Sequence, residues 1–185
     1  MRQNRPTSPE NFSVGAIVVR PALLDDVPAL SKLAKRTWSD AFGASVSEKT
    51  EATKLDEGRS EVYFEAALEE NVILVADMNG ELLGYAEIGG VRIPEADAQP
   101  GDMSLHRLYD ETALHGNGVG RQLMTASLGH RALALANRVF LQVWSENARA
   151  IRLYEHFGFR EVGTTSFSMG SEVMEDLIMR LDRVD

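Results

Sequence analysis

Apolar residues recur at Leu30, Leu33, Ala34 and Trp38, the three- and four-residue spacing of one helix face. Asp25-Asp26-Val27-Pro28 stands just before them, and paired acids followed by proline suit a first helical turn. Helical spacing continues through residues 47–71 in two pieces broken near Gly58, the second carrying Val62, Phe64, Ala67 and Leu68. Upstream, the β-branched run Ala16–Arg20 predicts a short strand. At Val72 the period changes. Val72–Ala76 and Leu82–Ile88 predict two strands, and Asn79-Gly80 between them is a strong hairpin turn. Pro94–Gly101, with two prolines, predicts a loop. Leu105–Tyr109 reads as a strand, His115–Gly120 as a glycine loop and Val119–Ala136 as one long helix. Val139–Trp144 is apolar at nearly every position, the mark of a strand buried on both faces. Asn147–Phe157 predicts a helix closed by Gly158, a common residue just past a helix end. Phe159–Met169 and Met174–Leu181 predict the last two strands.

The resulting order, β, α, α, β, β, β, α, β, α, β, β, predicts one α/β (α+β) domain around a mixed sheet. No internal repeat, linker or low-complexity block divides it. Residues 1–13 are polar and contain proline, so a flexible tail is expected ahead of a domain spanning 14–185.

Composition removes whole classes of chemistry. None of the 185 residues is cysteine, which excludes a disulfide scaffold, a thiol nucleophile, thiolate zinc and iron–sulfur clusters. The four histidines, His106, His115, His130 and His156, show no metal-ligand spacing, so no metal is expected. The net charge of −9 argues against a protein that tracks nucleic-acid phosphates and suits a cationic partner. No run approaches the roughly 20 apolar residues of a membrane span, and the start lacks a signal-peptide core. A cytoplasmic protein without membrane or nucleic-acid partners is expected.

The segment His115-Gly116-Asn117-Gly118-Val119-Gly120-Arg121 lies between a strand and a helix. Its three alternating glycines exceed what a plain turn needs. Glycine allows a positive φ and close approach of a ligand, and a helix start offers free amides and a positive dipole end. The loop is not a Walker A motif, because Gly-Lys-Ser/Thr is missing. Nor is it the dinucleotide fingerprint, because Arg121 stands where the third glycine belongs.

His115–Gly120 resembles the Gln/Arg-x-x-Gly-x-Gly/Ala loop of the GNAT superfamily of N-acetyltransferases, with histidine in the first position. Val143–Phe159 (VWSENARAIRLYEHFGF) resembles that family's second motif, in which a strand is followed by Asn-x-x-Ala and a Tyr before Gly-Phe. Within the family, Trp38–Phe42, Phe167-Ser168-Met169-Gly170 and Asp176-Leu177-Ile178-Met179 look like the spermidine/spermine acetyltransferase branch. The resemblance covers roughly Ala16–Leu181. It implies a mixed, mostly antiparallel sheet of about seven strands flanked by helices, with acetyl-CoA as cosubstrate and a small-molecule amine as partner. A homodimer is compatible with it.

Acetyl transfer from a thioester to an amine needs a gripped donor, a neutral amine, donors for the oxyanion and a proton for the leaving thiolate. The resemblance assigns the coenzyme to His115, Gly116, Asn117, Gly118, Val119, Gly120 and Arg121, to backbone near Leu108 and Tyr109, and to Asn147. Arg121 equally suits a solvated helix position. Tyr154 lies on an apolar stripe with Ala150, Leu153 and Phe157, where a core tyrosine is the ordinary reading; the resemblance makes it the proton donor. His106 matches the base-like position, with Glu87 as the second candidate. Asp40, Glu87, Glu172, Glu175 and Asp176 are acids that could receive a cation. The expectation is direct transfer through a ternary complex to a primary amine such as spermidine or spermine. A protein N-terminus, an amino acid or an antibiotic amine stays open as acceptor, as does a coenzyme A-binding module without turnover.

Overall fold

The computed structural model describes residues 16–169 and 172–183. The expected tail over 1–13 lies outside them. Seven strands form one sheet in the order β1-β2-β3-β4-β5-β7-β6. They are β1 (Val18–Pro21), β2 (Val72–Met78), β3 (Glu81–Gly90), β4 (Met103–Asp110), β5 (Arg138–Trp144), β6 (Arg160–Met169) and β7 (Glu172–Asp182). All neighbours run antiparallel except β4 and β5, which are parallel. The mixed, mostly antiparallel sheet expected above is the one observed.

Both faces of the sheet are covered, and the strand sequences show it. Along β2, Ile73 and Val75 face one core while Leu74 and Ala76 face the other. On the first face lie α1 (Val27–Phe42) and α3 (Glu61–Glu70), with α2 (Glu48–Arg59) packed beside α1. Phe64 of α3 is fully buried and meets Tyr85 of β3 edge to face at 5.7 Å. Burial on that scale is worth about 1.5–3 kcal/mol for such a ring. On the second face, α4 (Val119–Gly129) inserts Val119, Leu123 and Met124, and α6 (Ala148–His156) inserts Tyr154. The loop after β3 folds Ile93 and Ala96 over Phe140 and Ile178.

Two local features depart from the pattern reading. The expected single helix over 119–136 is two. His130 breaks it, its Nδ1 accepting from the Ala132 amide to cap α5 (Arg131–Ala134). The upstream break falls at Ser60 rather than Gly58, because the Ser60 hydroxyl accepts from the Tyr63 amide and starts α3.

Two irregularities build the site. Strands β4 and β5 pair only at Met103–Val139 and Ser104–Phe140, so their C-terminal halves are not joined to each other. Opposite β3, Glu87 pairs with Arg107 but Ile88 with Leu105, which leaves His106 as an extra residue, a β-bulge.

Candidate active site

A cleft of about 1010 Å³ occupies the gap between β4 and β5. Residues 105–110 of β4 form one wall and 142–144 of β5 the other, with α1, the end of α2, the glycine loop and the start of α6 completing it.

The glycine loop fits a phosphate group. Gly118 sits at φ +84° just before α4, and Gly116 at φ +90°. The amides of Val119, Gly120 and Arg121 open α4, and its first main-chain bond is made only by Gln122, to the Gly118 carbonyl. Those free amides sit at the positive end of the helix dipole. His115, Gly116, Gly118, Gly120 and Arg121 line the cleft. Asn117 is exposed and Val119 turns its side chain into the core, so neither lines it. His115 Nε2 lies 3.4 Å from Asp110, which also takes Arg149 at 3.1 Å. Arg121 contacts the His156 ring across the α4–α6 boundary.

Asn147 caps α6, its Oδ1 accepting from the Ala150 amide at 3.1 Å. One face of the carboxamide is therefore spent on the helix, and its Nδ2 keeps two donors for the cleft it lines. Leu108 and Tyr109 line the opposite wall.

Tyr154 is 6% exposed, yet it lines the cleft, and its hydroxyl takes no hydrogen bond among the described residues. Burial, reinforced by nearby Tyr109 and Asp110, pushes its ionisation well above the ordinary tyrosine range. Such a hydroxyl stays protonated at neutral pH and so keeps a proton to donate.

The base expectation meets a different geometry. The bulge turns His106 and Arg107, neighbours in sequence, toward the same carboxylate. His106 Nδ1 stands 3.6 Å from Glu87 and Arg107 Nε 3.5 Å. Glu87 is fully buried and accepts from the Tyr63 hydroxyl at 2.8 Å and from Asn71 Nδ2 at 2.8 Å. Burial alone would raise its carboxyl, but His106, Arg107 and Tyr63 outweigh that and hold it below the usual range. Glu87 therefore lies beneath the cleft, not on its wall, and cannot touch a substrate. His106 lines the cleft, but its Nε2 donates to the Gly90 carbonyl at 2.7 Å and its Nδ1 faces Glu87. Nε2 is therefore occupied by the Gly90 carbonyl, and Nδ1, buried without a hydrogen-bond partner among the described residues, faces Glu87 rather than the open cleft. Gly89 makes room for the imidazole, since a Cβ there would lie 2.5 Å from the ring.

Of the acids expected to receive a cation, Asp40 and Asp176 line the cleft. Asp40 accepts from the Thr112 hydroxyl at 3.2 Å. Asp176 pairs across the sheet with Trp144, and its carboxylate has no hydrogen bond or ion pair among the described residues. Burial pushes its carboxyl up to about 6. Glu175 is exposed on β7. The side chains of Glu172 and of Phe167-Ser168-Met169 lie outside the described residues, as does Gly170.

Apart from Arg121, the pattern reading missed the cations of the cleft. Lys54 and Arg59 of α2, and Arg107 of β4, line it together with the acids. Only packing of α2 against α1 brings the first two there, and no spacing in the sequence announces it. Among the described residues no group of histidines and carboxylates could hold a metal ion, and no helix is long and apolar enough to cross a membrane.

Comparison with known proteins agrees with this arrangement. Residues 30–159 match the profile of the acetyltransferase (GNAT) family. An uncharacterized N-acetyltransferase of Mycobacterium tuberculosis is 31% identical over 158 residues, covering 84% of this chain and 97% of that protein. A spermine/spermidine N(1)-acetyltransferase of Bacillus subtilis is 33% identical over 96 residues, covering 51% of this chain and 62% of that protein. Among solved structures, the PaiA N-acetyltransferase of Thermoplasma acidophilum in complex with coenzyme A superposes with a TM-score of 0.73 at 18% identity, over 91% of this chain and 99% of that one. A sheet opened between its two parallel strands, with free helix-start amides at the opening, thus accompanies a family match over most of the chain, and the protein belongs to the GNAT family of acetyltransferases.

Proposed function

We propose that this protein transfers the acetyl group of acetyl-CoA directly to the primary amine of a small molecule. The observation that carries the reading is the open gap between β4 and β5, with phosphate-binding amides at one side and the Tyr154 hydroxyl on its wall. The amides of Val119, Gly120 and Arg121 would hold the pyrophosphate, and Asn147 Nδ2 the amide arm of the coenzyme. The freed β4 edge near Leu108 and Tyr109 would steady the oxyanion. Tyr154 would give the departing sulfur its proton. Asp176, partnerless on the wall, would receive the ammonium and take its proton. The absence of cysteine excludes an acyl-enzyme on a thiol, which suits direct attack.

The acceptor test is release of coenzyme A thiol across polyamines, aminoglycosides, amino acids and peptides. At least one amine class should turn over well above the rate of hydrolysis. Binding of acetyl-CoA with no release from any class would leave a coenzyme-binding module instead. A polyamine acceptor is a second reading, favoured by the similarity to the Bacillus spermine/spermidine enzyme and by the acids Asp40 and Asp176.

The proposed role of Asp176 fixes a pH dependence. A protonated amine has a pKa near 10.4 and stays charged through neutrality. A carboxyl titrating at about 6 is neutral below that pH and ionised above it. Hence kcat/KM should climb as pH rises through about 6 and then level. Asp176→Asn should abolish this limb, whereas His106→Gln, which keeps a donor for the Gly90 carbonyl, should retain it. Loss of the limb in His106→Gln alone would restore the histidine as base.

A further inference from the structure

Arg59 closes α2 and lines the cleft, yet is only 8% exposed. Charges that deeply buried are normally paired. Its neighbours are. Arg107 faces Glu87 at 3.5 Å, and Lys54 reaches Glu57 at 3.7 Å. Arg59 has no carboxylate partner among the described residues. Its Nη1 donates to the Lys54 carbonyl at 3.0 Å. Its Nε is buried with no hydrogen-bond partner among the described residues, and the Tyr109 hydroxyl lies beside the group. The Tyr85 hydroxyl, also buried, is unpartnered as well.

These facts describe an edge of the guanidinium, not a generic positive patch. Nε and Nη2 point side by side, the spacing that a carboxylate matches with its two oxygens. Trp38 holds the flat face of the group, with the guanidinium carbon 4.9 Å from the ring. Arg59 O accepts from the Ser31 hydroxyl at 2.7 Å, which fixes the helix end against α1. Burial lowers the affinity of Arg59 for its proton; the Tyr109 and Tyr85 hydroxyls oppose this in part, and nearby Arg107 adds to it. An anion at that edge of the guanidinium would relieve both costs.

We propose that Arg59 binds a carboxylate of the acceptor, so that the preferred substrate is a small amino acid rather than a polyamine. The inference rests on the acetyl-transfer reading above and sharpens it. A zwitterion suits the mixed lining, with its ammonium at Asp176 and its carboxylate at Arg59. A polyamine would instead bring cations into a cleft that already holds Lys54, Arg59 and Arg107.

The test compares acceptors that differ only at the carboxylate. Ornithine is set against putrescine, lysine against cadaverine, and each of several α-amino acids against its amide. The wild-type protein should favour the best carboxylate-bearing acceptor by roughly tenfold or more in kcat/KM, the scale of a charged hydrogen-bonded pair. In Arg59→Met that ratio should fall toward one, and in Arg59→Lys, which keeps charge but loses the fork, it should fall part of the way. Calorimetric titration with acetyl-CoA verifies that each variant is folded. A wild-type protein that prefers putrescine, cadaverine or the amides overturns the proposal without any variant. So does a ratio that survives in a folded Arg59→Met. Thiol release from none of these amines, with acetyl-CoA bound, overturns this proposal; the acetyl-transfer reading falls with it only when aminoglycosides and peptides release none either.

Discussion

Replacing Tyr154 with phenylalanine should lower kcat about 10²-fold or more, with acetyl-CoA affinity nearly unchanged. The substitution removes only an oxygen. The ring packs at 6.1 Å from Phe159 and belongs to the main core, so the fold keeps its contacts. The hydroxyl has no partner among the described residues, so no structural bond is lost with it. What disappears is a buried hydroxyl that burial keeps protonated beside the cleft. A donor used only when charge develops on sulfur affects kcat and not ground-state binding. Steady-state kinetics beside calorimetry separate the cases. A Tyr154→Phe protein with near-normal kcat would make the residue an ordinary core tyrosine.

Gly118→Val should weaken acetyl-CoA binding by about 1–3 kcal/mol, roughly 5- to 150-fold in Kd, the scale of lost phosphate hydrogen bonds. Two effects act together. Gly118 lies at φ +84°, a conformation that costs an L-residue about 1–2 kcal/mol and more for a β-branched one. An added Cβ meets no protein atom within 4 Å, so the side chain projects into space a ligand would use. Gly118→Asn separates the two, because asparagine tolerates this region while still filling the space. Calorimetry should show both variants weakened toward acetyl-CoA, with the valine variant less stable when free. Equal affinity of Gly118→Val and wild type would remove the loop from the coenzyme site.

The elements of the fold were legible because each carries its own period. The β2–β3 hairpin announces itself through Asn79-Gly80, and β5 through an apolar run that only a two-faced burial explains. What stayed hidden was set by tertiary contact. A helical Ala/Leu run gives no warning that the His130 imidazole will cap a new helix. The bulge at His106 depends on how β4 registers against β3, and it decides which way His106 and Arg107 point. The sequence did place one charge, Glu87, inside the apolar run Leu82–Ile88. A lone carboxylate there is a signal of a buried, paired group as much as of a reactive one, and the structure has it paired with Tyr63, Asn71 and Arg107. Arg59 carried no local signal at all. Its placement depends on α2 packing against α1, while the glycine loop and the Asn147–Tyr154 helix could be read from adjacent residues alone.

Direct transfer within a ternary complex is most simply tested by following an isotopically labelled acetyl group. The protein is incubated with labelled acetyl-CoA, first alone and then with the best amine from the thiol-release panel, and denatured protein, coenzyme and amine are separated. The account predicts that label stays on the coenzyme in the first case and passes to the amine nitrogen in the second, with none held by the protein. Label retained covalently on the denatured protein, or no transfer to any amine, would contradict it.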